Sequence, residues 1–208
     1  MGSRERRTRE REETRDRILD AARQMFVRQG YEETTMRAIA DKIEYTPTAI
    51  YHHFRSKDAL LTELASSDFR ALATAFHRIG RIEDPIERLG RIGDAYVEFA
   101  LGHPMQYQLM FMTRKPEDVI ANGIHGDPTQ DAYAFLTEAC TAAIGSGRLR
   151  SDFTDADELA QMLWSSTHGL LALQMMKQGA PISWRDARKT VRRINETMLR
   201  GLLKQPNE

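Results

Sequence analysis

Apolar side chains recur every three or four residues through most of the chain, and the gaps between these stripes fall at Gly, Pro and Asn. Ile18, Ala22, Met25 and Phe26 make the first stripe, and Gly30 closes it as a helix C-terminus. Thr34 or Thr35 then caps a short second helix whose apolar face is Met36, Ile39, Ala40 and Ile43. After Glu44 and Tyr45, Thr46 supplies an N-cap oxygen and Pro47 takes the first helical position, where its fixed φ fits. The third helix started there runs to Phe54 and buries Ile50 and Phe54, one helical turn apart. Ser56, Lys57 and Asp58 open a long fourth helix with Leu60, Leu61, Leu64, Leu72, Phe76 and Ile79 inward, ending near Gly80.

Beyond it the same periodicity predicts helices at 85–101, 104–113, 128–145, 155–178 and 184–202, separated by Pro- and Gly-containing breaks. No segment alternates apolar and polar residues for long, so strands are not expected. The pattern predicts an all-α fold of about nine helices without internal repeats. Residues 1–12 carry no apolar side chain after Met1 and are expected to be a flexible tail. A helical N-terminal domain at 13–58 and a C-terminal domain at 59–208 would follow.

Composition changes this picture in three places. The chain has 208 residues, 41% of them hydrophobic, which suffices for two small packed domains. Its formal net charge is zero, yet residues 1–57 hold 13 Arg and Lys against 10 Asp and Glu, so the front is basic. Cys140 is the only cysteine, which excludes an intrachain disulfide and suits a reducing compartment. No apolar stretch approaches the roughly 20 residues that span a bilayer, and no signal peptide is evident. A cytoplasmic protein without a membrane partner is expected.

Two short helices joined by a tight turn, the second exposing Thr, Tyr and His, match the geometry in which a recognition helix enters the major groove. The segment from Thr14 to Phe69, and above all Thr34 to Leu61, resembles the DNA-binding domain of the TetR/AcrR family of repressors. The resemblance implies that Thr35 and Arg37 meet phosphate and a base edge, and that Tyr51, His53 and Lys57 bind the backbone. Thr46, Pro47, Thr48 and His52 would then read sequence through hydroxyls and contact with thymine methyls. Tyr51 and His53 bracing the fourth helix is the alternative. The turn departs from the usual Gly-Val: Glu44-Tyr45 stands there, and a φ above zero at a non-glycine residue would cost about 1 kcal/mol.

The C-terminal part contains Trp164, His168 and Gly169 in a run similar to that of regulators known for a Trp-His-Gly signature. Trp164 and His168 share a helix face, where they either line a pocket or fill the core. With Tyr96, Phe99, His103, Tyr107, Phe111, Phe135 and Met162 they form a candidate site for a small apolar or aromatic effector. On the last two helices, Leu159, Leu163, Leu170, Leu173, Trp184, Val191, Ile194 and Met198 make a stripe. It is either covered within the chain or paired across a homodimer axis.

The resemblance thus implies a homodimeric repressor on palindromic double-stranded operator DNA, needing no metal or cofactor. A ligand-independent DNA-binding regulator is one alternative. Another is a small helical enzyme using His103 and His168 with Glu138 or Asp157. Against the enzyme stand the missing glycine-rich phosphate loop, HExxH motif, paired-cysteine spacing and nucleophile elbow. His52 and His53, adjacent on a helix, point about 100° apart and chelate poorly.

Overall fold

A computed structural model describes residues 2–113, 126–176 and 182–205. Among them are nine helices: α1 (Ser3–Gln29), α2 (Met36–Lys42), α3 (Pro47–Tyr51), α4 (Lys57–His77), α5 (Pro85–Gly102), α6 (Pro104–Phe111), α7 (Ala132–Gly145), α8 (Ala156–Met175) and α9 (Ala187–Leu202). The one extended feature among the described residues is an antiparallel bridge between Leu149 and Leu203. The all-α expectation holds. The start of α1 does not follow it: the supposed tail at 1–12 is helical from Ser3. Arg and Glu are good helix formers, the Glu5 carboxylate accepts the Gly2 N–H at 2.9 Å, and Arg6 pairs with Glu10 at 3.5 Å. Charged composition denies this stretch a packed face without denying it a helix.

The chain divides into two compact units, Met1–Asp68 with Met105–Gly123, and Phe69–Pro104 with Ile124–Glu208. The first therefore extends past the boundary expected near residue 58 and includes α6, which is distant in sequence. Its core joins Ile18, Ala22 and Phe26 of α1, Ile39 and Ala40 of α2, and Ile50 of α3 to Leu60, Leu61 and Leu64 of α4 and Leu109 of α6. Each such aliphatic or aromatic side chain contributes roughly 1.5–3 kcal/mol by leaving water. Below this layer, Asp68 of α4 is wholly buried and ion-paired with Arg23 of α1. It also accepts a hydrogen bond from Gln106 Nε2 of α6 at 2.8 Å.

Local signals explain the short helices. Gly30 ends α1 at φ 87°, a conformation that L side chains rarely adopt. Thr35 caps α2 by accepting from Ala38 N at 3.1 Å, while the buried Thr34 hydroxyl donates to Gly30 O at 2.8 Å. The sequence left the cap open between these two threonines; the one turned inward is committed to the preceding turn. Thr46 caps α3 through Ala49 N, with Pro47 behind it as expected. His53 N and Phe54 N both reach Ile50 O, at 2.9 and 3.0 Å, so α3 closes in a tight turn before Phe54.

Between α2 and α3, Glu44 has φ 60°. This is the strained turn anticipated from the Glu44-Tyr45 pair. Glu44→Gly is expected to raise the unfolding free energy by about 0.5–1 kcal/mol, since only glycine takes this conformation freely. Urea titration checks it, and an unchanged midpoint would show that Glu44 is not strained.

In the second unit α9 lies on α5 and α8, and α7 lies on α8 and α5. Asp84, Asp131, Asp155 and Asp186 cap α5, α7, α8 and α9 with their carboxylates. The caps at Asp131 and Asp186 set those helix starts later than apolar periodicity suggests. Gly93 of α5 lets α9 approach: a Cβ there would lie 2.1 Å from Asn195 Nδ2. Asn195 is buried and its Oδ1 accepts from the Thr167 hydroxyl of α8 at 3.2 Å.

Candidate functional site

In the first unit, Ile50 anchors α3 with no exposed surface, which turns Thr48, Tyr51 and His52 outward on one helix face. Tyr51 is 52% exposed, among the few large hydrophobic side chains that are exposed among the described residues. Thr46 is also exposed and Pro47 is half-buried at the start of the same helix. Thr35 and Arg37 stand exposed at the N-terminus of α2. The cap residues Thr35 and Thr46 thus have part of their hydroxyl capacity committed to the backbone.

His53 is half-buried, and its pKa lies below 6.5 because of burial first and then the positive charges of Arg11, Arg15 and His52. It is therefore a neutral imidazole at neutral pH, a hydrogen-bond partner rather than a cation. Lys57 also differs from a free phosphate ligand. Its Nζ donates to Tyr31 O at 2.8 Å and Glu32 O at 3.4 Å, and sits 4.0 Å from the Tyr31 ring centroid. In this conformation it clamps the α1–α2 connection to the start of α4.

Sequence reasoning missed the α1 side chains that border α3. The Arg15 guanidinium stacks over Phe54 at 4.5 Å, and Arg17 stacks over Tyr45 at 5.3 Å while donating to Ile43 O. The α1 stripe places these arginines one turn before Ile18 and Ala21, but periodicity does not say that this turn of α1 borders Tyr45 and Phe54.

The nine effector candidates are divided between the two units. Tyr107 and Phe111, with ring centroids 5.1 Å apart, belong to α6 and the first unit. In the second unit Phe135 packs against Phe76 and His77, at 5.9 and 5.4 Å between centroids. Phe99 is buried with the exposed His103 ring 5.2 Å away, and Met162 is exposed on α8.

Tyr96, Trp164 and His168 do meet. Trp164 Nε1 donates to the Tyr96 oxygen at 3.1 Å, and that oxygen lies 2.9 Å from His168 Nδ1. The Tyr96 hydroxyl thus bridges the indole N–H of Trp164 and the imidazole of His168. Burial holds the His168 pKa below 6.5, in keeping with a neutral ring.

Beside this chain of hydrogen bonds, Tyr133, Gln161, Trp164 and Ser165 line an open depression of about 500 Å³. The Tyr133 ring centroid is 6.0 Å from that of Trp164. Tyr133 and Gln161 were not anticipated, because nothing in the spacing of α7 and α8 says which turns of the two helices face each other.

The dimer stripe is partly consumed within the chain: Leu159 and Val191 have no exposed surface. Of the stripe Leu173 is 56% exposed, and outside it Met176 and Ile182 are 72% and 58% exposed. His103 and His168 have different neighbours, and Asp157 accepts from the Tyr133 and Thr137 hydroxyls, so the residues of the enzyme alternative are not assembled. Burial raises the Cys140 thiol to about 12, which keeps it protonated. Among the described residues no group of His, Cys, Asp and Glu could hold a metal, and no helix is long and apolar enough to cross a membrane.

Residues 18–64 match the family of bacterial regulatory proteins, tetR family, and residues 89–198 match the tetracyclin repressor-like C-terminal domain. The second match carries no Trp-His-Gly label, so that likeness stays confined to the motif itself. The HTH-type transcriptional repressor Rv1474c of Mycobacterium tuberculosis is 43% identical over 68 residues, covering 33% of this chain and 36% of that protein. The HTH-type transcriptional regulator UidR of Escherichia coli is 41% identical over 75 residues, covering 36% and 35%. The chain thus matches about a third of the length of these curated relatives.

The fold is shared more widely. The fatty acid degradation regulator FadR of Bacillus halodurans superposes with a TM-score of 0.75 at 16% identity, over 92% of this chain and 97% of that one. The ketosteroid transcriptional regulator KstR2 of Mycobacterium tuberculosis gives 0.70 at 22% identity, over 92% and 96%. With models matching both the helix-turn-helix segment and more than half of the chain behind it, this protein belongs to the tetR family of bacterial regulatory proteins.

Proposed function

We propose that the protein is a DNA-binding transcriptional regulator acting in the cytoplasm. In this reading it is a homodimeric repressor released from a palindromic operator by a small apolar or aromatic effector. The observation that carries the DNA-binding reading is the α3 face itself. A five-residue helix is pinned by Ile50 and started by Thr46-Pro47, and it leaves Thr48, Tyr51 and His52 to solvent. A short helix held this rigidly has no packing use for an exposed Tyr, whereas a major groove supplies phosphates and base edges at its reach.

Two such helices must fall on successive groove turns, about 34 Å apart, which a homodimer provides. The apolar residues still outward near the end of α8 supply material for that contact. The Tyr96–Trp164–His168 cluster and the depression beside Trp164 are the proposed effector site, in place of the wider set of nine. Coupling would run through α4, whose residues are divided between the two units at Asp68 and Phe69. An effector worth 1–3 kcal/mol of coupling lowers operator affinity about 5- to 150-fold, and the operator weakens effector binding equally.

Binding of full-length protein to duplexes selected from a random-site pool tests this reading. Wild type is expected to bind tightly with a steep salt dependence, and Tyr51→Ala to bind about tenfold more weakly at every salt concentration. Failure to enrich any duplex would overturn the DNA-binding reading. Operator affinity unchanged across a library of apolar metabolites would leave the ligand-independent alternative.

A further inference from the structure

The N-terminal half of α1 buries nothing, yet one of its faces carries arginines without acidic residues among them. Arg4, Arg7, Arg11 and Arg15 follow one another at spacings of three and four, which sets them on a single stripe. That stripe runs directly into Ile18 and Ala22, the residues through which α1 packs on the rest of its unit. The other side mixes signs, with Arg6 and Arg9 among Glu5, Glu12, Glu13 and Asp16.

A helix stabilised only by its own surface charges would interleave signs at i, i+4, as Arg6 and Glu10 do. Arg7–Arg11 and Arg11–Arg15 instead place like charges one turn apart, an arrangement that weakens the free helix. Arg4, Arg7 and Arg11 enter no ion pair among the described residues. An uncompensated row of guanidinium groups is suited to an external polyanion, and its position says which. Arg15 stacks on Phe54, just past α3, and the charges of Arg11 and Arg15 are felt at His53. The stripe is therefore continuous with the end of α3 that carries Tyr51 and His52.

We propose that Arg4, Arg7 and Arg11 form an arm that binds the phosphate backbone of duplex DNA beside the groove occupied by α3. At 1.5 Å per residue the arm carries charge roughly 16 Å along the helix from Arg15 to Arg4, far enough to reach several phosphates beyond those touched by α3. Guanidinium is the suitable group, because its fork holds phosphate oxygens in pairs. The proposal rests on the DNA-binding reading and adds a contact surface to it.

The test uses full-length protein and a duplex that wild type selects from a random-site pool. Wild type, Arg7→Gln/Arg11→Gln and Arg6→Gln/Arg9→Gln are compared by anisotropy across salt concentrations. The two variants remove equal charge, from the stripe and from other faces, and Gln keeps helix propensity. For the stripe variant the slope of log K against log salt is expected to shrink by about 0.9 for each arginine lost per bound protomer. Hydroxyl-radical protection should disappear at the outer edges of the footprint while its centre persists. The control variant should keep both.

Stripe and wild-type proteins with the same slope and footprint would overturn the arm, as would equal losses in the two variants, which would mean diffuse charge. Loss of retention on phosphatidylserine vesicles with DNA binding unchanged would reassign the stripe to lipid headgroups. If wild type selects no duplex at all, the DNA-binding reading itself falls, an outcome separate from failure of the arm.

Discussion

Asp68→Ala is expected to lower the unfolding free energy by about 3–5 kcal/mol, the range for removing one partner of a buried ion pair. Asp68 has no exposed side-chain surface and Arg23 keeps only 13%. Without the carboxylate, the Arg23 guanidinium remains in a poorly solvated site with no anion, and Gln106 Nε2 loses its acceptor. The loss should appear as a shift of the urea midpoint and as lowered operator affinity, because Arg23 lies on the α1 helix that supports α2. Asp68→Asn keeps an acceptor for Gln106 but not the charge, so it should fall between the two. A change below about 1 kcal/mol for alanine would mean that water reaches Arg23 and that the pair does not organise this unit.

The second large effect is expected at the crossing of α5 with α9. Gly93→Ala should destabilise by about 1–3 kcal/mol, the usual penalty of overpacking, even though alanine is the better helix former by up to about 1 kcal/mol. The added Cβ would meet Asn195 Nδ2 at 2.1 Å and Cγ at 2.9 Å. Asn195 has little freedom to withdraw, being buried and bonded to Thr167. Asn195→Ala alone should cost about 1–2 kcal/mol, from one lost hydrogen bond and a stranded Thr167 hydroxyl.

Together the two substitutions should cost at least about 1 kcal/mol less than their sum, since the new methyl occupies space that the missing amide vacates. Strict additivity in this double-mutant cycle would show that α5 and α9 adjust independently, and that Gly93 is not what sets their approach. Asn195 Nδ2 has no hydrogen-bond partner among the described residues, so the pair of alanines also removes a buried donor that is unsatisfied.

Most of the helical order was legible in the sequence, because each helix of the first 80 residues combines a clear apolar period with an explicit start or stop. Gly30, Thr35, Thr46-Pro47 and Ser56 each act as local chemistry dictates. Even the departure at Glu44 was readable, as a left-handed turn made without glycine. Two misreadings have a common origin. Apolar spacing makes residues 1–12 a tail and puts α6 in the second domain, since it reports neither a helix without a packed face nor a tertiary neighbour distant in sequence.

The proposed DNA-facing residues are more legible in the sequence than the proposed effector site. A recognition helix is a local object, with exposure of Thr48, Tyr51 and His52 fixed by Ile50 on the same helix. The Tyr96–Trp164–His168 cluster joins residues about 70 positions apart. Periodicity could nominate each aromatic residue but not choose among them. Lys57 shows the converse limit: its place at the start of α4 was plain, while its hold on the carbonyls of Tyr31 and Glu32 depended on a turn 25 residues away.

Because Leu109 sits in the core with Ile18, Ile50 and Leu61, the unit that holds α2 and α3 is not one contiguous stretch of polypeptide. A chimera that borrows residues 1–68 and grafts them onto another sensor would leave the place of Leu109 empty and Asp68 without Gln106. A transferable module must carry the α6 segment as well, and a swap that keeps a foreign α6 must match its side chains to a core evolved with this one. Interchangeable parts, in this protein, end where the chain returns.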